Sequence, residues 1–163
     1  MTFFEKAENR GHESIHQFFD SQTGLRAIIA IHSTALGPAA GGCRMWQYEN
    51  EASAIRDALR LSRGMTYKNA MAGLPLGGGK AVILINPDFP PSDDLFLAFG
   101  RCVDSLGGRY ITAEDVGVSV ENMRIVKQVT NFVAGLPPAQ GSAGGDPSPW
   151  TALGCFQGIE AAV

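Results

Sequence analysis

The sequence lacks long hydrophobic runs, blocks of like charge and any dense use of cysteine. No apolar stretch approaches the length of a membrane span, so no membrane partner is expected. Lys and Arg (13) and Asp and Glu (16) are spread along 163 positions for a net charge of −3. No basic stripe is left to meet nucleic acid or an anionic membrane surface. The three cysteines, Cys43, Cys102 and Cys155, are odd in number, widely spaced and form no CxxC pair. That pattern argues against a disulfide scaffold or a thiolate metal site and fits a reducing, cytoplasmic setting. The N-terminus, MTFFEKAENRGHES, carries charge early and has no apolar core, so no signal peptide is expected. Glycine, by contrast, is abundant, with 20 residues gathered mainly at 37–42, 73–79, 107–108 and 135–145. With 45% hydrophobic and 18% charged residues, the length predicts one folded unit with a real core. The glycine clusters mark loops where the backbone turns tightly or approaches something closely.

Residues 13–19 have strand-like alternation, 20–24 (DSQTG) read as a turn, and 25–32 (LRAIIAIH) are apolar and β-branched. Together they predict a hairpin. Residues 51–63 (EASAIRDALRLSR) place Ala52, Ile55, Ala58, Leu59 and Leu61 near helical spacing, with Gly64 as the expected stop. The continuous apolar run 81–85 (AVILI) predicts a buried strand. A second helix is expected over 93–106, opened by Ser92 and closed by Gly107 and Gly108. A short strand follows at 109–112, and a third helix at 119–129 with Ser119 as its N-cap. Residues 135–149 (GLPPAQGSAGGDPSP) are too turn-rich for an element and read as a connector or functional loop. The last segment, 151–163 (TALGCFQGIEAAV), reads as the start of another helix. Strands alternating with helices after an opening hairpin predict an α/β fold. Its sheet is expected to be mostly parallel with an antiparallel edge hairpin, and helices are expected on both faces.

Two short motifs invite chemistry that their context does not support. His12-Glu13-Ser14-Ile15-His16 matches H-E-x-x-H, which serves zinc hydrolases only on a helix, where both imidazoles share a face. Here Gly11 precedes the motif, strand-forming residues follow it and no third ligand is evident, so coincidence is the preferred reading and no metal is expected. GLPLGGGK (73–80) looks like a phosphate loop, but that loop needs glycine where Leu74 stands and a hydroxyl where Ala81 stands. What remains is Lys68 and Lys80, each in apolar or glycine-rich surroundings that surface lysines seldom occupy. Two ammonium groups brought together in a half-buried site are one way to make a lysine into a base. Glu114 and Asp115 follow a predicted strand, where open α/β sheets place ligands. Residue types and spacing therefore point to a cationic, glycine-lined cleft with an acid.

Four segments, in order, resemble the Glu/Leu/Phe/Val dehydrogenase family: LGPAAGGCRMW (36–46), DALRLSRGMTYKNAMAGLPLGGGKAVI (57–83), GRYITAEDVG (108–117) and GDPSPWTALG (145–154). The resemblance runs from about residue 13 to the end of the chain and is nearer to the leucine, phenylalanine and valine members than to the glutamate members. It implies the family's N-terminal substrate-binding and dimerisation domain. It also implies reversible, NAD-dependent oxidative deamination of a branched-chain or aromatic L-amino acid to the 2-oxo acid and ammonia. By matching positions, Lys68 is expected to hold the substrate α-carboxylate, Lys80 to activate the attacking water, and Asp115 to exchange protons with the substrate nitrogen. Gly41 and Gly42 match a turn whose backbone lines the pocket, and Met65 and Ala113 match positions near the substrate side chain. Pro149 and Thr151 match the interdomain cleft, with Thr151 on the nicotinamide side. Glutamate members carry lysine where Ala40 stands. Without that charge glutamate is not expected, and the small side chain implies room for one as large as phenylalanine.

The dinucleotide fingerprint G-x-G-x-x-G does not occur. The implied division is a substrate-binding and oligomerisation domain over 1–135 and a Gly/Pro-rich linker over 136–150. Residues 151–163 would be the first helix leading to a missing NAD-binding domain. The expected partners are an L-amino acid or 2-oxo acid and further copies of the chain. NAD is expected in a longer enzyme only, and this chain alone is expected to be inactive. The alternatives are a non-catalytic amino-acid-binding or oligomerisation module and, far behind, a zinc hydrolase built on HESIH.

Overall fold

The computed structural model describes residues 11–137 and 144–163. Residues 138–143 of the expected connector, and the first ten residues of the segment read for a signal peptide, lie outside the described residues.

The expected hairpin forms. β1 (Ser14–Asp20) pairs antiparallel with β2 (Leu25–Ser33). Asp20 Oδ1 accepts from Gln22 N at 2.8 Å, and Gly24 takes φ +71°, which together close the turn. β2 is apolar throughout because both of its faces are covered. Leu25, Ala27, Ile29 and Ile31 enter one core cluster, and Ile28 and Ala30 enter another. That alternation is the period-two consequence of a strand.

Two short strands, β3 (Ala39–Ala40) and β4 (Cys43–Trp46), both run parallel to β5 (Gly77–Leu84). β6 (Tyr110–Ile111) pairs parallel with β3. The sheet order is β1-β2-β5-β3-β6, with β4 also beside β5, so antiparallel pairing is confined to β1, β2 and β5. The strand expected at 81–85 begins earlier, at Gly77, so the glycines lie inside it and Lys80 sits mid-strand rather than at its opening.

α1 (Glu51–Met71) is capped by Asn50, whose side chain accepts from Ser53 N. It does not stop at Gly64 as expected. A glycine inside a helix costs about 1 kcal/mol relative to alanine. The helical stretch beyond it docks on the sheet through Thr66 and Asn69, which offsets that cost. The true stop is Gly73, at φ +68°. α2 (Asp93–Asp104) is capped by Ser92, and α3 (Val120–Lys127) by a reciprocal box of Ser119 and Asn122. α2 and α3 bury Leu95, Phe96, Phe99, Val103, Met123 and Val126 on one face of the sheet, while α1 covers the other. α4 (Ser148–Ala162) starts at Ser148 rather than Thr151 and buries none of its residues, leaving Trp150, Phe156 and Ile159 exposed. Among the described residues, no helix is long and apolar enough to cross a membrane.

Candidate active site

Glycine lets three backbones converge. A Cβ on Gly78 would strike the backbone nitrogen and hydroxyl of Thr66, so α1 rides directly on β5. A Cβ on Gly41 would strike the Gly79 carbonyl and stand 3.1 Å from Met65 Cγ. A Cβ on Gly42 would strike the Glu114 carbonyl and lie 3.0 Å from Asp115 Cβ. Gly41 and Gly42 are also where β3 breaks from β4. The 111–116 segment follows that break, with Cys43 N donating to Ala113 O at 2.7 Å and Met45 N to Val116 O at 2.9 Å. Asn69, 5% exposed, donates from Nδ2 to Gly77 O at 2.6 Å and to Ala40 O at 3.5 Å, which fastens the end of α1 to the same break.

Lys80 shares its strand face with Gly78 and Val82, toward α1, and is only 5% exposed. Its ammonium donates to Asp115 Oδ2 at 2.8 Å. Arg44, on β4, donates from Nε to the same oxygen at 3.0 Å and from Nη1 to Asp57 Oδ2 at 3.0 Å. Tyr48 donates its hydroxyl to Asp57 Oδ2 at 2.7 Å. Five side chains from β4, the turn after it, α1, β5 and the segment beyond β6 thus form one continuous network. Burial works to raise the Asp115 carboxyl. The hydrogen bond and charge of Lys80, and then those of Arg44, outweigh it and hold Asp115 below the usual carboxylate range. Its neighbour Glu114 goes the other way. Burial pushes it up, and the charges of Asp146 and Asp115 add to the effect. Its Oε2 is buried without a hydrogen-bond partner among the described residues, packed against Gly135.

Of the residues singled out from sequence, the structure brings Lys80, Asp115, Gly41, Gly42, Ala40, Met65 and Ala113 together around the strand break. Lys68 lies in the last turn of α1, three residues on from Met65 and so on the same side of the helix. It is exposed and makes no hydrogen bond or ion pair among the described residues. The group that contacts the Lys80 ammonium is the carboxylate of Asp115, the acid expected beside the two lysines. Pro149 and Thr151 stand exposed on the first turn of α4 and make no hydrogen bond to the network.

The HESIH run enters β1 instead of a helix. His12 bonds through Nε2 with Ser62 Oγ at 2.9 Å, His16 with Ser14 Oγ at 2.9 Å, and Glu13 accepts from Thr34 and pairs with Arg109. No group of three metal-ligating side chains occurs among the described residues. Sequence reasoning missed Arg44, Asp57, Tyr48 and Asn69. Arg44 did leave a signal, as a charge between buried Cys43 and Met45 immediately after the double glycine.

The GLPLGGGK run does not form a phosphate loop. Gly77, Gly78 and Gly79 are buried inside β5 and lead into more strand, whereas a pyrophosphate cradle needs a glycine turn that opens a helix.

The sequence model described as Glu/Leu/Phe/Val dehydrogenase, dimerisation domain, matches residues 12–132. A leucine dehydrogenase of Bacillus subtilis (strain 168) is 56% identical over the whole chain, which spans 44% of that relative's length. A valine dehydrogenase of Streptomyces virginiae is 54% identical over 96% of the chain, again 44% of the relative. Among solved structures, L-tryptophan dehydrogenase from Nostoc punctiforme superposes with a TM-score of 0.81 at 48% identity, over 99% of this chain and 45% of that one. The chain therefore spans less than half the length of these relatives, and it belongs to the Glu/Leu/Phe/Val dehydrogenase dimerisation-domain family.

Proposed function

We propose that this chain is the substrate-binding and oligomerisation part of an NAD-dependent L-amino-acid dehydrogenase of the leucine, valine or phenylalanine type. The observation that carries the reading is the buried Lys80–Asp115 pair at a glycine-walled strand break, with the uncommitted ammonium of Lys68 at the end of α1. A buried ion pair is expensive to desolvate. Keeping Lys80 out of water beside Asp115 favours a working site over a purely structural module.

In this reading Lys68 takes the substrate α-carboxylate, for which a mobile point charge suffices. The backbone at Gly41 and Gly42, with Ala40, Met65, Ala113 and Pro149, bounds the substrate. Lys80 takes a proton from water, whose oxygen adds to the imino carbon. Asp115 takes a proton from the substrate ammonium at the outset and returns it to the nitrogen once water has added, so that ammonia leaves as the new hydroxyl gives up its proton and the 2-oxo acid remains. When bound, NAD accepts the hydride from the substrate carbon. We assign its binding to a domain beyond the 136–150 linker and the helix over 151–163, with Thr151 on the nicotinamide side. Oligomerisation fits the family's description and the exposed edge strand β1, where Phe19 is 75% exposed.

The test is NADH formation from L-leucine, L-valine, L-phenylalanine and L-glutamate at alkaline pH. It compares this chain with the same chain extended by a dinucleotide-binding domain of its relatives. Silence from the chain, turnover by the extended form on one or more of the first three, and loss of at least about 10²-fold in Lys80→Met are expected. A preference for glutamate, or an unaffected Lys80→Met, would sink the reading. Ala40→Leu sharpens the substrate class, because it adds three carbons to a pocket in which one methylene changes discrimination by about 10- to 200-fold. The KM ratio of phenylalanine to leucine should rise. An unchanged ratio would show that Ala40 does not shape the pocket.

A further inference from the structure

Asp115 receives two charged hydrogen bonds on one oxygen, Oδ2, from Lys80 and Arg44, while Oδ1 accepts none among the described residues. If Lys80 deprotonates water during turnover, it must loosen its hold on that oxygen, and only Arg44 then remains to fix the carboxylate. Arg44 is itself fixed. Its planar guanidinium meets Asp115 through Nε and Asp57 through Nη1, both at 3.0 Å, and Tyr48 ties the Asp57 carboxylate at 2.7 Å. A lysine has no fork with which to span two carboxylates. Asp57 belongs to α1, the helix that carries Met65 and Lys68, so Arg44 registers the segment beyond β6 against the helix expected to hold the substrate.

We infer that Arg44 is a positioning residue: it holds Asp115 by Oδ2, leaves Oδ1 turned to the substrate nitrogen, and keeps the carboxylate in place while Lys80 works. The inference rests on the amino-acid dehydrogenase reading for its catalytic consequence, though not for its structural one. The titratable and charged groups facing Asp115 among the described residues are Lys80 from β5, Arg44 and the buried Cys43 thiol from β4, Tyr48 from the turn after β4, Tyr110 from β6 and its own neighbour Glu114. Asp57 of α1 acts on it through Arg44. Among the described residues Arg44 is thus one of two cations that lower Asp115.

Two measurements on Arg44→Gln and Arg44→Lys test this. The first is a carbon-13 titration of the aspartate carboxyls in this chain, with Asp115 assigned by Asp115→Asn. Asp115 should titrate at higher pH in Arg44→Gln and close to its unaltered position in Arg44→Lys, which restores the charge. The second is the pH profile of kcat and KM in the extended enzyme. Arg44→Gln should lower kcat by about 10²-fold, the usual consequence of a misplaced catalytic group, with KM for the amino acid little changed. Its acid limb should move to higher pH, and Arg44→Lys should recover part of kcat. An unmoved Asp115 titration and acid limb in Arg44→Gln would overturn the inference. So would an Arg44→Lys that leaves the Asp115 titration where Arg44→Gln puts it, since the charge at position 44 would then not act on Asp115, and so would failure of both variants to fold, since the arginine would then serve the fold alone. An extended enzyme with no activity on any amino acid would refute the functional reading, while the titration would still decide the role of Arg44.

Discussion

The two faces of the central sheet are built on different terms. Beneath α2 and α3 lie Leu25, Ile29, Ile31 and Ile83 against Phe99, Val103 and Met123, large side chains that fill space. Against α1 the cluster is smaller: Ile28, Ala30, Val82 and Leu84 of the sheet meet Ala54, Ala58 and Leu59 of the helix, and at Gly78 the helix backbone touches the strand backbone. The bulky face secures the fold through buried area. The thin face gives up that area and gains proximity, and it carries Lys80, Arg44 and the Asp57 anchor. If that division of labour is real, the two faces must respond differently to substitution.

Phe99→Ala should produce the largest loss of stability. Phe99 is fully buried, and truncating a buried phenylalanine costs about 3–5 kcal/mol through lost transfer energy and a residual cavity. In urea unfolding the midpoint should fall with an unchanged slope. The Asp115 titration should not move under conditions where the variant stays folded. A displaced Asp115 would show that the faces are coupled and would break the comparison.

A pair of glycines tests the thin face. At Gly78 a methyl group meets the Thr66 backbone, which cannot yield as a side-chain tip can. Gly78→Ala should cost about 1–3 kcal/mol, as overpacking does, and should lift α1 from the strand break. Loss of the Asn69 bonds to Gly77 and Ala40 would follow, so substrate affinity should suffer beyond what the stability loss explains. At Gly64, on the same helix, a methyl group meets nothing within 4 Å. Gly64→Ala should stabilise by about 0.5–1 kcal/mol. Equal responses at the two positions would mean that contact between α1 and the sheet is not what glycine provides.

The same contrast explains what could be read from sequence. The hairpin, the helices after Ser92 and Ser119 and the buried run at 81–84 carry local signals of alternation or capping. Gly64 misled because its propensity is local, whereas the docking of Thr66 and Asn69 is not. β3 and β4 have only two and four residues, too short for periodicity, and exist because β3 lies between β5 and β6 while β4 lies between β5 and the segment 113–116. At the site, Lys80 and Asp115 stood out through their surroundings and the family resemblance. Asp57 did not, because an acid on a helix is ordinarily solvated, and only the fold brings it to Arg44. Sequence reading put both Lys68 and the acid Asp115 near Lys80; the contact that forms among the described residues is the one with Asp115, 35 positions away.

The smallest expected effect separates two adjacent carboxyls. Successive side chains of an extended segment point to opposite sides. Asp115 turns to Lys80 and Arg44, while Glu114 packs against Gly135, beyond α3, with Oε2 unpartnered. Asp115 is depressed, so the stability it confers is present above the ordinary carboxylate value and is lost as pH falls through its lowered one. Glu114 is raised, so the native state gains protons relative to the unfolded chain, and stability is lost as pH climbs from the ordinary glutamate value through the raised one. Glu114→Gln removes the charge that burial penalises. After solvent screening it should stabilise by about 0.5 kcal/mol at neutral pH and flatten the pH dependence of stability on the weakly acidic side. Asp115→Asn should instead lose stability at neutral pH and converge with the unaltered protein in acid. Unfolding midpoints across that pH range decide the matter. Parallel curves for the two variants would mean that neighbouring carboxyls share one environment and that the charged network does not single out Asp115.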